Sequence, residues 1–254
     1  MIDLHCHVLP GIDDGPATTE QSLALARAAA ACGTTTIVAT PHSSAHYPNR
    51  AASIRELTAE LNDRLRREQI PVELRPGAEV ALTHAEELDE QELRRLRLGG
   101  GPWLLLEPPF LPMVIGIDRT IARLRGQGHE IVLAHPERCP AFHRDLDLLR
   151  ALVEDGVLTS ITAGSLVGRF GKSVRRFALR LLSEELVHNV ASDAHDARRR
   201  PPGIAAELEQ AQAGELADWL TRAVPEAILS GAEIPPRRAS GSGRSRPRWL
   251  AWRR

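Results

Sequence analysis

Hydrophobic and polar positions along the chain switch repeatedly between a period of two and a period near 3.6. "IDLHCHV" reads as a strand, and "TTEQSLALARAAAAC" follows as an Ala-rich helix with Thr18 and Gln21 spaced for a capping box. "TTTIVATP" is a β-branched strand ended by Pro41, and "ASIRELTAELNDRLRREQ" sets Ile54, Leu57, Leu61 and Leu65 at helical spacing. "VELRPGAEV" holds a third strand, before a helix in "THAEELDEQELRRLR" with Thr83 and Glu86 spaced for a second capping box. Strands in "PWLLLEPP", "HEIVLAHPER", "VLTSITAG" and "LVHNVASDAH" then alternate with helices in "IDRTIARLRGQG", "HRDLDLLRALVEDG" and "KSVRRFALRLLSEE". "GELADWLTRAVPEAILSG" closes the body as helices. Seven short strands alternating with helices predict an α/β fold with a parallel sheet, open or closed into a barrel. The periodicity stops after residue 234, so a body of 1–234 and a separate segment of 235–254 are expected. The Arg, Ser, Gly and Pro of that segment predict disorder.

Composition narrows this only a little. A chain of 254 residues can bury a sizeable core. Its 32 basic and 33 acidic residues nearly cancel, which removes the electrostatic reason to expect nucleic acid as a partner. No run of 18 apolar residues is present, and the N-terminus lacks a basic and then apolar leader pattern. Cys6, Cys32 and Cys139 are odd in number and far apart, unlike a disulfide framework or a zinc ribbon, so a cytoplasmic location is expected.

The informative residues are the ten histidines and where they fall. His5 and His7 lie on the first strand, His42 ends the second, Glu79 the third, Glu107 the fourth, His135 the fifth, and Asp193 and His195 the seventh. A single histidine at a strand end is usually a hydrogen-bonded core residue. Six of seven strands ending in a ligand type is a different matter, because the C-terminal strand ends of a (β/α) barrel converge on one mouth. With Asp14 there are five imidazoles and four carboxylates, more than one ion needs. They suit two or three divalent ions of Mn²⁺, Mg²⁺, Fe or Zn²⁺. Three such ions against four carboxylates leave a positive surplus, which favours an anionic guest such as a phosphate dianion.

"MIDLHCHVLPGIDDGP", "ATPH", "GAE", "AHPER", "ITAGSL" and "SDAH" followed by "RPP" resemble the PHP (polymerase and histidinol phosphatase) superfamily. More narrowly, they resemble the bacterial metal-dependent protein-tyrosine phosphatases of capsule and exopolysaccharide operons (CpsB-like). The resemblance covers about residues 1–234 in motif order. It implies a distorted seven-stranded (β/α) TIM-like barrel, three divalent ions with manganese foremost, and a phosphoric monoester hydrolase acting on protein phosphotyrosine. The implied partner is a membrane-associated bacterial tyrosine kinase. It also implies one ion on His5, His7, Glu79 and Asp193, a second on Glu79, Glu107 and His135, and a third on Asp14, His42 and His195. Arg138 and Arg200 would contact phosphate, and Ser43 stands where many relatives have a second histidine.

The chemistry expected of such a site is direct attack on phosphorus by an ionised water bridging the metals, with no phospho-enzyme. Planar guanidiniums at Arg138 and Arg200 suit the non-bridging oxygens. A phenol leaves readily at a pKa of about 10, with His42 or a bound water to supply its proton. His46 and Tyr47, just beyond His42, are candidates for the substrate entrance. Strand alternation should turn Cys6 away from the metals, and "ERCP" offers Cys139 no Gly-rich cradle, so a thiol nucleophile is not expected. Three alternatives stay open: a phosphoesterase acting on a histidinol-phosphate-like small molecule, one acting on nucleic acid, and a non-catalytic metal-binding scaffold. Asp13 would orient a ligand or cap the "LPGIDDG" turn. The seven arginines from Arg237 onward, with Trp249 and Trp252, form either a solvated tail or a peripheral membrane or partner contact.

Overall fold

The structure is a computed structural model, and it describes residues 1–237. The expected tail residues Arg238, Arg244, Arg246, Arg248, Trp249, Trp252, Arg253 and Arg254 lie outside the described residues. The seven strands of the sequence pattern are nine: β1 (Ile2–Cys6), β2 (Thr36–Ala39), β3 (His42–Ser43), β4 (Glu73–Pro76), β5 (Glu79–Ala81), β6 (Trp103–Glu107), β7 (Glu130–Ala134), β8 (Leu158–Thr162) and β9 (Asn189–Ala191). They form two sheets, ordered β1-β2-β4 and β3-β5-β6-β7-β8-β9, and every ladder is parallel.

Two expected strands are each broken in the middle. The second breaks at Thr40–Pro41, because proline cannot donate to a ladder. The third breaks at Gly77–Ala78, where a Cβ on Gly77 would stand 2.8 Å from Val38 Cγ1. Backbone bonds bridge both breaks, from Gly77 N–H to Ala39 O (3.0 Å) and from Glu79 N–H to Pro41 O (3.1 Å). The far edges are also joined. Asp193 N–H donates to His5 O (2.8 Å) and His7 N–H to Ala194 O (2.9 Å).

Strand alternation separates two apolar clusters. Leu4, Val38, Trp103, Leu105, Val132, Ala134 and Leu158 pack together and are covered by Val224 and Ile228 of the helix Val224–Ser230. Ile37, Ala39, Leu104, Leu106, Ile131 and Leu133 face the other way, into the large cluster beneath the surrounding helices. In β1 the alternation changes side. Asp3 pairs with Ile37 and Cys6 with Ala39, so three steps on one strand match two on the other. This bulge leaves Leu4 in the first cluster and Cys6 in the second.

The helix Thr19–Ala31 starts as expected, with Gln21 N–H donating to Thr18 Oγ1 (3.4 Å). The second capping box does not form. Thr83 makes no cap bond, and residues His84–Glu86 are a single 3₁₀ turn. Asp89 is the cap instead, accepting from Glu92 N–H at the start of Glu90–Arg95 (2.8 Å). Its β-region backbone suits an N-cap, whereas Thr83 already has helical φ and ψ. The expected boundary after 234 also meets contacts. Trp219 Nε1 donates to Pro235 O (2.9 Å) and Arg237 Nη1 to Leu182 O (3.2 Å).

His188, just before β9, accepts the Thr159 N–H at Nδ1 (3.2 Å). Burial, with Arg237 nearby, pushes its pKa down to about 4. An unfolded histidine protonates near pH 6.5, so the stability His188 contributes is present above that pH and is lost as pH falls toward 4. Thermal unfolding followed from pH 7 to 4.5 should show a decline on the order of 2 kcal/mol from this group. His188→Asn should flatten part of that decline.

Candidate metal centre

The C-terminal ends of the strands carry the candidate ligands to one place. His5 lies in β1, His42 opens β3, Glu79 opens β5 and Glu107 ends β6. His42 is in register with Glu79, and Glu107 with Ala81, so these side chains project to the same side of neighbouring strands. His135 follows β7 at φ 31° and Asp193 follows β9 at φ 51°. Left-handed backbone at non-glycine residues costs on the order of 1 kcal/mol each and clusters at functional sites. The bonds from His135 N–H to Ser160 O (2.7 Å) and from Asp193 N–H to His5 O (2.8 Å) hold both residues there.

Glu79 is the centre of the group. It is 1 % exposed, and four imidazoles surround it. Oε1 lies 2.8 Å from His135 Nε2, while Oε2 lies 3.0 Å from His42 Nδ1, 3.3 Å from His5 Nε2 and 3.4 Å from His7 Nε2. None of the three nitrogens near Oε2 is aligned to hydrogen-bond it. Asp193 closes another side. Its Oδ1 lies 3.6 Å from both His5 and His7 Nε2, and its Oδ2 takes Arg138 (2.7 Å), Arg200 (2.6 Å) and the Thr162 hydroxyl (3.5 Å). The strand that supplies no imidazole or carboxylate therefore still supplies Thr162.

The opening loop divides its two aspartates. Asp13 Oδ2 binds His7 Nδ1 (2.7 Å) and accepts the His42 N–H (3.2 Å), while Oδ1 accepts the Gly15 N–H (2.9 Å). Asp13 therefore both orients His7 and ties the turn. Asp14 Oδ1 reaches His195 Nε2 (3.2 Å) and His42 Nε2 (3.5 Å). Gly15 must be glycine, since a Cβ there would meet His7 O at 2.5 Å.

Four groups of side chains are placed to hold a metal ion: His7, Asp14, His42 and His195; His5, His7 and Asp193; His5, Glu79 and His135; His42, Glu79 and Glu107. Among the described residues they draw on the nine sequence candidates and on no others. The grouping differs from the sets implied by resemblance. His7 also meets Asp14, His42 and His195, Glu79 falls outside the group of His5, His7 and Asp193, and Glu79 meets His135 beside His5 and Glu107 beside His42. The donor set fits divalent cations. His5 and His7 Nε2 face each other at 3.2 Å, a separation that two neighbouring ligands of one ion about 2.1 Å away would have. Glu79 Oε2, His135 Nδ1 and His195 Nε2 are buried without a hydrogen-bond partner.

Charges in the group are strongly coupled. Burial favours neutral His7, but Asp13 and Glu79 outweigh it and hold its pKa at about 10. Burial would raise Glu79, and the imidazoles of His5 and His135 instead keep it well below the carboxylate range. Glu107 is pushed up to about 7 by burial and by the Glu79 charge. Asp193 is held low against its burial by His5 and Arg200.

Several residues here gave no signal in the sequence. Asp3 is buried and accepts from Ser192 N–H (3.0 Å) and the Ser192 hydroxyl (2.5 Å), fastening β1 beside Asp193. Glu137, next to Arg138, accepts from the Ser165 hydroxyl (2.7 Å) and Thr162 N–H (2.9 Å), and burial against those bonds lifts it to about 7. It joins the loops after β7 and β8, and a charged residue inside "AHPER" is the one cue that could have found it. Phe110 and Phe170 both lie on Arg138. Tyr47 stacks on His42 (5.7 Å, 10°), while His46 is exposed and meets Tyr47 edge-on. Ser43 is buried and donates to Asn49 O (3.1 Å), which shapes that loop. Cys6 and Cys139 are buried, and burial raises both thiols.

Comparison with known proteins gives one consistent result. The family model described as "Capsular polysaccharide synthesis, CpsB/CapC" matches residues 1–229. The tyrosine-protein phosphatase YwqE of Bacillus subtilis is 41 % identical over 201 residues, 79 % of each chain. The tyrosine-protein phosphatase CpsB of Streptococcus pneumoniae is 29 % identical over 217 residues, covering 80 % of this chain and 86 % of its own. A crystal structure from work on YwqE of B. subtilis and CpsB of S. pneumoniae, described as unique metal-dependent tyrosine phosphatases, superposes with a TM-score of 0.82. It is 38 % identical and covers 92 % of this chain and 96 % of that chain.

Asp13→Asn keeps the turn but removes the anion behind His7, and metal affinity should fall about 10- to 100-fold in a competition titration. Asp14→Ala should lower the metal content of the saturated protein by one ion and leave the remainder bound.

Proposed function

The chain belongs to the CpsB/CapC capsular polysaccharide synthesis family, and on that footing we propose that it hydrolyses phosphotyrosine on proteins at the centre built around Glu79. The observation that carries this reading is the pair Arg138 and Arg200. Both guanidiniums converge on Asp193 Oδ2, at the edge of the imidazole–carboxylate cluster. Arg200 Nε is also buried with no partner. Two fixed cations beside candidate cation sites form a cradle for a phosphate dianion.

We assign the centre three divalent ions, manganese foremost, held by His5, His7, Asp14, His42, Glu79, Glu107, His135, Asp193 and His195. When bound, they supply charge that polarises the phosphoryl group and acidifies a water. The chain's own residues do the rest. Arg138 and Arg200 bind non-bridging oxygens and fix the phosphorus in line. Asp193 and Glu137 hold Arg138 and its loop, which limits the loss of side-chain freedom on binding. His42 is 18 % exposed while the other four imidazoles are between 0 and 6 %, so it is the one that meets the departing phenol. Its Nδ1 faces Glu79 and its Nε2 faces Asp14, so His42 borders the leaving oxygen while water supplies the proton. Tyr47 and His46 border the approach on that side. A phenol with a pKa of about 10 needs only modest help to leave.

The two bridged strand breaks and the β1–β9 bonds support counting the nine strands as seven staves of one distorted (β/α) ring, with residues 1–234 as the catalytic body. Among the described residues no helix is long and apolar enough to cross a membrane. We place the protein in the cytoplasm, with a membrane-associated tyrosine kinase of capsule synthesis as its substrate.

A phosphotyrosine peptide should be hydrolysed by the purified protein. Exhaustive chelation should abolish the activity and Mn²⁺ should restore it, whereas activity surviving chelation would contradict the metal mechanism. Arg138→Ala and Arg200→Ala should each lower kcat/KM by about 100-fold or more. Cys139→Ser should leave kcat within about twofold, since a buried thiol is inert.

A further inference from the structure

Among the described residues, the large hydrophobic side chains that are exposed are Phe110, Leu111, Met113 and Ile115, at 46, 55, 67 and 86 %. Single exposed hydrophobics are ordinary, but four within six residues make a patch of the kind that marks recognition. The patch lies in "PPFLPMVIG", between Glu107 and the helix Ile117–Gly126, at the rim of the metal centre. Its root is fixed. Leu111 N–H donates to Pro109 O (2.8 Å), the Cys139 thiol donates to the same oxygen (3.5 Å), and Val114 packs on the core.

Phe110 stands at the inner end of the patch. Its ring stacks on His135 with centroids 5.4 Å apart and planes 16° from parallel, and Arg138 Cζ lies 5.1 Å from its centre. Phe170 takes the same guanidinium at 4.5 Å. None of the phosphoryl chemistry above uses Phe110. An apolar ring held flat against a candidate ligand, beside a phosphate-binding arginine and half open to water, is suited to a planar apolar group attached to the phosphate.

We propose that Phe110 is the specificity-determining contact for the aromatic ring of the phosphorylated side chain, giving the site a preference for aryl over alkyl phosphates. This rests on the phosphatase reading above. The arginines and ions recognise the dianion, which every phosphate monoester shares, so the discrimination lies in the apolar face next to them. A ring–ring contact of this kind is worth about a tenfold gain in affinity.

The test compares two non-hydrolysable dianions, benzylphosphonate and methylphosphonate, by calorimetric titration into the Mn²⁺-loaded full chain. The wild type should bind benzylphosphonate about tenfold more tightly. Phe110→Ala should bring the ratio to within about twofold of unity with methylphosphonate affinity unchanged, and Phe110→Trp should keep the preference. A ratio that persists in Phe110→Ala, a wild type without preference, or an equal loss for both ligands would overturn the proposal. The last result would mean that Phe110 only steadies Arg138. Turnover of a phosphotyrosine peptide by the same preparation separates the two readings. Turnover without ring preference removes the Phe110 assignment alone, and ring preference without turnover removes the phosphatase reading alone.

Discussion

One buried carboxylate organises this molecule. Glu79 is almost sealed from solvent, yet it stands within 3.4 Å of nitrogens from four imidazoles that come from β1 and the residue just past it, from β3 and from the end of β7. A lone buried carboxylate would take up a proton rather than keep its charge. The His5 and His135 imidazoles beside Glu79 hold it well below the usual carboxylate range, and Asp13 and Glu79 together hold the pKa of His7 at about 10. A divalent ion in the same space would take over the compensation and displace protons, so folding, metal binding and pH are linked at a single point.

The surrounding structure serves to present those groups at fixed distances. The bulge in β1 puts Leu4 into the inner apolar cluster and still aims His5 at Glu79. Left-handed backbone at His135 and Asp193 turns two strand ends inward, at a cost borne by the packed sheet below. Asp13, Asp3 and Glu137 touch ligand residues or their neighbours and lock them in place. Arg138 is held by Asp193 and two phenyl rings, so a cation is ready where a phosphate would bring its charge.

Much of this was legible in the sequence, and for identifiable reasons. Strand ends converge in parallel α/β folds, so marking His, Asp and Glu at those ends selects eight of the nine residues that the structure brings into four adjoining groups, and Asp14 joins them from the loop after β1. Periodicity placed the strands but not their breaks, because Pro41 and Gly77 act through a missing donor and a close approach to Val38. The Thr83 capping box failed because spacing alone says nothing of φ and ψ, and Asp89 had the backbone a cap requires. Asp3 was invisible because the bulge hides which face of β1 it takes. Phe110 was invisible because the apolar residues of "PPFLPMVIG" look like core until their exposure is known.

The most direct test of the central claim is an anomalous difference map at the manganese edge from crystals of Mn²⁺-loaded protein. The account predicts neighbouring peaks that share Glu79 as a common ligand, with His5, His7, Asp14, His42, Glu107, His135, Asp193 and His195 distributed among them. Full metal loading with no peak within ligand distance of Glu79 would contradict it.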